Sequence, residues 1–360
     1  MREEYMKIAL ELAKKAEDRT YPNPMVGAVI VKKGKIVGKG YHKKAGSDHA
    51  EVSAIKDSEG KCKGADMYVT LEPCNNFGKT PPCTQAIIDA GIKKVYFAMK
   101  DPNKINRAGG ISRLRKEGVA VEAVSECRDE VLSLNRKYIK YMSKKLPYVT
   151  VKLAQSLDGR IAARDGSSKW ITNRRSRKYV RGVRSRFDAI MIGSNTLLKD
   201  DPFLLDEKRG KYNGYRIVVD SSLSIPENCN LVKTSDRSPV MIATTELAPR
   251  KKIDELKKNK NVEVIVFKSK NKKVPLKSFL RKLADRGIVN VLVEGGGSLA
   301  GSLIDGSLAD EFMFFIAPKL IGGDYLSVRT KGVSNIGKAI ELKDIKIEKF
   351  DEDLLIRGRI

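Results

Sequence analysis

The stretch from His49 to Cys83 constrains this chain more than any other part of it. It holds His49-Ala50-Glu51, then Thr70-Leu71-Glu72-Pro73-Cys74, then Thr80-Pro81-Pro82-Cys83. One imidazole and two thiols are the donors zinc prefers, and a reactive zinc site uses three protein ligands and keeps a fourth position for water. A fold that satisfies all three donors must bring distant segments to one point. Glu51, two residues after His49, then stands outside the ligand set as a carboxylate placed to move protons. The competing reading is an inert cluster, since isolated thiols usually behave as small buried hydrophobes. The coincidence of features favours the metal: the chain has two His, His42 and His49, and the second lies in an H-x-E followed by Pro-Cys.

Spacing of this kind, H-x-E followed by P-C and a further Cys, is the pattern of zinc enzymes that remove an amino group from a nucleobase by hydrolysis. A length of 360 residues exceeds what one core usually holds, so two domains are expected. No apolar run approaches the roughly 18 residues of a membrane span, and the acids at the start do not suit a signal peptide, so a cytoplasmic protein is expected. Cys62, Cys127 and Cys229 read as spare thiols, and five scattered Cys suit a reducing compartment. The net charge of +26 is spread over both halves without a basic arm or tail. Such an excess suits phosphorylated small molecules as well as RNA, and solvated Lys on helix faces is the plain alternative.

Tyr5, Met6, Ile8, Ala9, Leu12, Ala13 and Ala16 recur at helical spacing, predicting an amphipathic helix packed on a sheet. In Thr20-Tyr21-Pro22-Asn23-Pro24 the prolines fix the backbone around Asn23, either as a ligand-holding amide or as a helix-ending turn. Two strands about Lys33-Gly34 predict a hairpin. His49 and Glu51 fall on the first turn of a helix, Cys74 just past a strand over 66–71, and Cys83 at the opening of the next helix. Alternation through 94–98, 111–117 and 119–123 predicts a partly parallel sheet, and one helix over about 126–142 closes the domain. The joint Lys144-Lys145-Leu146-Pro147 divides the chain into 1–145 and 146–360.

Strands are expected at 148–154, 188–192, 215–220, 239–243, 262–267 and 289–293, with helices over 173–184 and 276–286, a second α/β domain. Its last strand runs into Glu294-Gly295-Gly296-Gly297-Ser298-Leu299-Ala300. Glycines there let a phosphate approach backbone N–H groups at a helix start. The acid about 20 residues on that a dinucleotide unit would show is missing, so a nucleotide cofactor and a close-packing turn both stay open.

With these residues laid out, the chain resembles the bifunctional riboflavin-biosynthesis enzymes that join a pyrimidine deaminase to a pyrimidine reductase. The likeness rests on Pro22-Asn23-Pro24, Gly40-Tyr41-His42, His49-Ala50-Glu51 and the two Cys segments, whose eight-residue gap differs from the two residues general among tRNA adenosine and cytidine deaminases. In the second half it rests on Leu146 to Lys152, Ser156 to Gly159, Ser168 to Thr172, Gly193, Thr196, Asp200-Asp201-Pro202 and Glu294-Gly295-Gly296. The resemblance implies an α/β protein, an N-terminal cytidine-deaminase-like three-layer domain followed by a C-terminal dihydrofolate-reductase-like domain. It implies zinc on His49, Cys74 and Cys83, with Glu51 as proton shuttle. Asn23 and His42 would hold the substrate, 2,5-diamino-6-ribosylamino-4(3H)-pyrimidinone 5′-phosphate.

In the second half it implies NADPH on Ala154, Trp170, Thr196, Asp200, Ser222 and a loop that includes Gly296, Gly297 and Ser298. Substrate would fall on Ser168, Arg184, Leu204 and Glu294. Lys152 and Glu294 are candidates for polar and proton-handling roles, against a plain strand-end charge for Lys152 and a core position for Trp170. A homo-oligomer with a small-molecule partner is expected, without membrane or nucleic acid, the alternative being a tRNA-editing deaminase with a basic C-terminal half. Asn75-Asn76-Phe77 and Glu207 depart from the usual text, with Lys208 or Arg209 as substitutes for an absent phosphate-binding Arg.

Overall fold

The computed structural model describes residues 2–16, 19–76, 81–103, 109–205 and 210–360, in two compact units, Met1–Leu146 and Pro147–Ile360. The departures at Phe77 and at Glu207 to Arg209 lie outside the described residues.

In the first unit α1 (Arg2–Lys14) buries Met6, Ala9, Leu10 and Ala13 against the hairpin β1 (Gly27–Lys32) and β2 (Lys35–Tyr41). Gly27 makes this approach possible: a Cβ there would stand 2.0 Å from the Ala9 carbonyl oxygen. The same device seats α2 (Ala50–Asp57), since a Cβ on Gly40 would lie 2.4 Å from Ala54 N and 2.5 Å from Ala50 O. Glycine facing alanine thus fixes the helix whose N-cap is His49.

Next come β3 (Asp66–Leu71), α3 (Cys83–Asp89), β4 (Lys94–Met99), α4 (Gly110–Lys116) and β5 (Ala120–Ala123). Strand order is β2-β1-β3-β4-β5, antiparallel across β2, β1 and β3 and parallel from β3 to β5.

The single helix expected over 126–142 is in fact two, α5 (Arg128–Leu134) and α6 (Arg136–Lys144). Asn135 breaks it. Its buried amide donates to Met25 O at 3.0 Å and accepts from Met25 N at 2.8 Å, pairing with backbone more than a hundred residues away. Asn135→Ala would strand both Met25 groups in the core. It should cost about 2–3 kcal/mol, read as a lower denaturant midpoint for this unit.

The second unit opens with β6 (Tyr148–Ser156), then α7 (Arg174–Arg184), β7 (Ala189–Gly193), α8 (Ser194–Asp200) and β8 (Tyr215–Val219). It continues through α9 (Asn230–Lys233), β9 (Val240–Thr245), α10 (Arg250–Lys257), β10 (Val262–Phe267), α11 (Leu276–Asp285), β11 (Asn290–Glu294) and α12 (Gly297–Asp305). It ends in β12 (Glu311–Ala317), β13 (Lys343–Phe350) and β14 (Asp353–Arg359), three strands that the sequence pattern did not predict.

The sheet order is β10-β9-β8-β7-β11-β6-β12-β14-β13, parallel from β10 to β12 and antiparallel beyond. Strands such as β7, β9 and β11 are buried along nearly their whole length, as expected of a parallel sheet covered on both faces. Their carboxyl ends share one edge, where open α/β sheets place ligands.

Candidate active sites

In the first unit, His49 caps α2, Cys74 follows the end of β3 and Cys83 is the first residue of α3. His49 Nδ1 lies 3.1 Å from Cys83 Sγ and 3.5 Å from Cys74 Sγ, and all three ligand atoms fall within 4.8 Å of one another. Ligand atoms of a tetrahedral zinc site with these donors are about 3.5 Å apart, so the donor set and its spacing fit the metal.

The Cys83 backbone N–H also points at Cys74 Sγ, at 3.4 Å. The hydrogen bond from the Cys83 thiol holds Cys74 down to about 4, and the same bond, with burial, pushes Cys83 well up. The cluster therefore shares protons that a divalent cation would displace.

Glu51 is buried on the first turn of α2. Burial, then the charge of Cys74, pushes its carboxyl up to about 7, the range in which a general base works best near neutral pH.

His42 is buried beside this cluster, its ring 5.3 Å from that of His49 and edge-on to it. Burial lowers its pKa, so it is a neutral imidazole. Its Nδ1 faces Asp48 O at 3.0 Å, which leaves Nε2 to accept from the Asn23 amide at 3.2 Å. Asn23 and His42 thus meet next to the cluster, with the Asn23 amide turned by that bond. Asn75 accepts from Thr84 Oγ1 at 2.9 Å, so the departure between the two Cys is tied to the helix that carries Cys83.

In the second unit a cleft of about 1680 Å³ opens at the carboxyl ends of the parallel strands. Lys152 on β6 and Glu294 on β11 are register neighbours and both line it. Arg184, the last residue of α7, grips the buried Glu294 with two bonds, Nε to Oε1 at 2.6 Å and Nη2 to Oε2 at 3.0 Å. Burial alone would raise Glu294, but Arg184 and then Lys152 bring it below the ordinary carboxylate range. Burial lowers Lys152, with Glu294 opposing.

Ala154, Ser168, Trp170, Thr196, Asp200, Leu204, Gly296, Gly297 and Ser298 also line the cleft. Trp170 is 62% exposed at its edge, with the Arg177 guanidinium 4.2 Å from the ring centre, so the core alternative is corrected. Ser222 is the exception: its neighbour Ser221 lines the cleft, while Ser222 N donates to Asp220.

Of the two readings of the glycine turn, the structure shows the close-packed one. Gly295 and Gly296 have φ of +71° and +79°, and a Cβ on Gly297 would stand 2.2 Å from Leu326 O. The turn is close-packed behind and lines the cleft in front. Leu204, also at positive φ (52°), sits in a loop braced from behind by the Arg216 guanidinium on Phe203 O at 2.9 Å and by Asn230 on Asp201. Arg216 lies wholly buried at the second residue of β8 and reads in the sequence as any surface Arg.

Residues 1–99 match the model of the cytidine and deoxycytidylate deaminase zinc-binding region, and residues 147–356 match the RibD C-terminal domain. The riboflavin biosynthesis protein RibD of Aquifex aeolicus is 42% identical over 357 residues, covering 98% of this chain and 96% of the relative. That of Escherichia coli is 37% identical over 368 residues, covering 98% of each. Among solved structures, RibD of Acinetobacter baumannii matches with a TM-score of 0.84 at 32% identity, covering 99% of this chain and 98% of that one. The diaminohydroxyphosphoribosylaminopyrimidine deaminase/5-amino-6-(5-phosphoribosylamino)uracil reductase of Thermotoga maritima matches with a TM-score of 0.82 at 35% identity and the same coverage. With relatives that span nearly its whole length and a family model on each half, the chain belongs to the RibD family of riboflavin biosynthesis proteins.

Proposed function

We propose that the chain carries two successive reactions on one phosphorylated pyrimidine. The first unit removes an amino group from 2,5-diamino-6-ribosylamino-4(3H)-pyrimidinone 5′-phosphate by hydrolysis. The second reduces the ribosyl group to ribityl. The observation that carries this reading is the His49, Cys74 and Cys83 cluster with buried Glu51 on the same helix turn.

In the first unit His49, Cys74 and Cys83 would hold zinc, which when bound supplies Lewis-acid activation of water. Glu51 takes a proton from the attacking water as the new C–O bond forms at the amino-bearing carbon. It returns that proton to the amino group, so the C–N bond breaks and ammonia leaves. His42, with both ring nitrogens engaged, orients the Asn23 amide, which would hold the pyrimidine through its remaining amide groups.

In the second unit Ala154, Trp170, Thr196, Asp200 and the turn Gly296-Gly297-Ser298 would hold NADPH, which supplies a hydride. Phosphate groups suit the start of α12, since the first N–H groups of a helix have no intrahelical acceptor. Ser222 contributes at most through the backbone of its segment, given its bond to Asp220. Ser168, Arg184 and Leu204 bound the substrate side. As a hydride reaches C1′ the bond from C1′ to the ring oxygen breaks, and that oxygen needs a proton. Lys152, the register neighbour of Glu294 at the cleft, can give it, because burial lowers its pKa.

One experiment tests both halves. Purified protein should hold one zinc per chain, release ammonia from the diaminopyrimidine substrate, and then oxidise NADPH on the product. A half that is silent overturns its own assignment.

We place the protein in the cytoplasm, supported by five unpaired cysteines. No helix among the described residues is long and apolar enough to cross a membrane. We also propose a homo-oligomer formed by a second copy on the edge strand β13, where Ile345 and Ile347 are 49% and 64% exposed beside an unpaired backbone edge. An edge of this kind can pair with its own symmetry copy. Light scattering should give at least a dimer, and Ile347→Lys should lower the mass to that of the monomer.

A further inference from the structure

One rim of the second unit's cleft is held in shape by a buried cation. Asp200, which ends α8, is followed along the cleft by Asp201, Pro202, Phe203 and Leu204. Asp201 and Leu204 have φ of +37° and +52°, the left-handed region that side chains rarely adopt. Such a backbone persists only where its surroundings over-determine it. Phe203 is half exposed, so its own packing holds little. Leu204 is buried in the core cluster with Val218 and Leu231, so what it can offer a ligand is chiefly backbone.

Two residues supply the hold. Asn230, the first residue of α9, donates its backbone N–H to Asp201 Oδ1 and its side-chain amide to Asp201 O, both at 2.8 Å. Arg216 Nη1 donates to Phe203 O at 2.9 Å and to Thr234 Oγ1 at 2.8 Å. Its Nη2 donates to Leu231 O at 3.1 Å, Thr234 O at 2.8 Å and Ser238 O at 2.6 Å. The guanidinium therefore joins the cleft rim to α9 and to the segment ahead of β9.

Arg216 is an unfavourable residue for a core position. It is wholly buried, its five acceptors are all neutral oxygens, and it makes no ion pair among the described residues. Burial brings it down to about 10, which still leaves it charged at neutral pH. A well-packed apolar side chain would stabilise such a site at least as well. What the planar fork adds is the fixing of main-chain oxygens from separate segments at once, one of them on the residue before Leu204.

We infer that Arg216 is a positioning residue of the second reaction, with Asn230 beside it: together they hold the backbone at Leu204 in the shape that receives the pyrimidine. This rests on the reading above that Leu204 bounds the substrate side of the cleft.

The test is steady-state reduction of the deaminated pyrimidine, 5-amino-6-(5-phosphoribosylamino)uracil, by the full chain with NADPH. Arg216→Met fills much of the same space and removes the fork. It should raise the pyrimidine KM about tenfold and leave kcat and the NADPH KM within about twofold, the pattern of lost binding common to ground and transition states. Ammonia release by the first unit should be unchanged. Asn230→Ala, at a half-buried position, should raise the pyrimidine KM about threefold. Leu256→Ala is the control for stability alone: it opens a cavity in the same core cluster, away from the cleft, and should lower the denaturant midpoint without moving either KM. A wild-type pyrimidine KM in Arg216→Met overturns the inference, and where that variant does not fold, a wild-type KM in Asn230→Ala does so. An equal rise in Leu256→Ala would make the effect a general loosening and overturn it as well. If the NADPH KM alone rises, the segment serves the cofactor, and the substrate-side reading of Leu204 falls with the inference.

Discussion

Glu51→Gln should lower ammonia release by about 10²–10⁴-fold, the range for loss of a positioned general acid–base group. Bound zinc should stay at the wild-type level, and reduction of the already deaminated substrate should be unchanged. The change is nearly isosteric and adds no charge to a buried position. The Cys74 and Cys83 thiols and His49 Nδ1 already account for three ligands within 4.8 Å, so the amide removes the proton carrier and leaves the donors. Metal content separates the roles. Loss of zinc in the variant would make Glu51 a ligand, and full ammonia release would show that another group moves the proton. A fall in reduction as well would point to a fold-wide effect and remove the specific role.

The zinc cluster was legible in the sequence because its chemistry is local in text: rare residue types at fixed spacing, each beside a helix start or strand end. Neighbouring features fared unevenly, for physical reasons. Asn135 looks like any polar residue in an amphipathic helix, yet it ends α5 because its amide completes the backbone of Met25, a partner that no window of sequence contains. β13, KDIKIEKF, is mostly charged and buries almost nothing, so it lacks the half-buried alternation by which strands are read. β12 is nearly continuous apolar sequence, which does not distinguish strand from buried helix. Trp170 was open between core and cofactor because burial is a tertiary property. Lys273 ends the most basic stretch, Lys257 to Lys273, and Lys277 follows it closely, where most lysines are simply solvated. Their place at the cleft is tertiary: the bond from Val274 N to Ser221 ties this segment to the end of β8.

The second unit offers the other large effect, at Glu294. Its carboxylate is buried, gripped twice by Arg184 and set beside Lys152, one anion between two cations. Glu294→Ala leaves both cations without it, and should cost about 3 kcal/mol, the low end for breaking a buried pair because the open cleft lets water reach Lys152. Lys152→Met keeps the two-bonded Arg184 grip and should cost much less. Denaturation followed by Trp170 fluorescence reports on this unit alone, which matters because a chain with two units need not unfold in one step.

The pH dependence has a definite sign. Glu294 lies below its unfolded value, so its contribution is complete above the ordinary carboxylate pKa of about 4.3 and is lost as pH falls through the depressed folded value. Wild type and Glu294→Ala should therefore differ at neutral pH and converge in acid. Activity divides the roles further. If Lys152 donates the proton to the ring oxygen, Lys152→Met should be nearly as stable as wild type and yet lose reduction, with NADPH affinity retained. A Lys152→Met enzyme that still reduces at the wild-type rate would make Lys152 a strand-end charge, and would leave the Arg184 and Glu294 pair to position substrate without it.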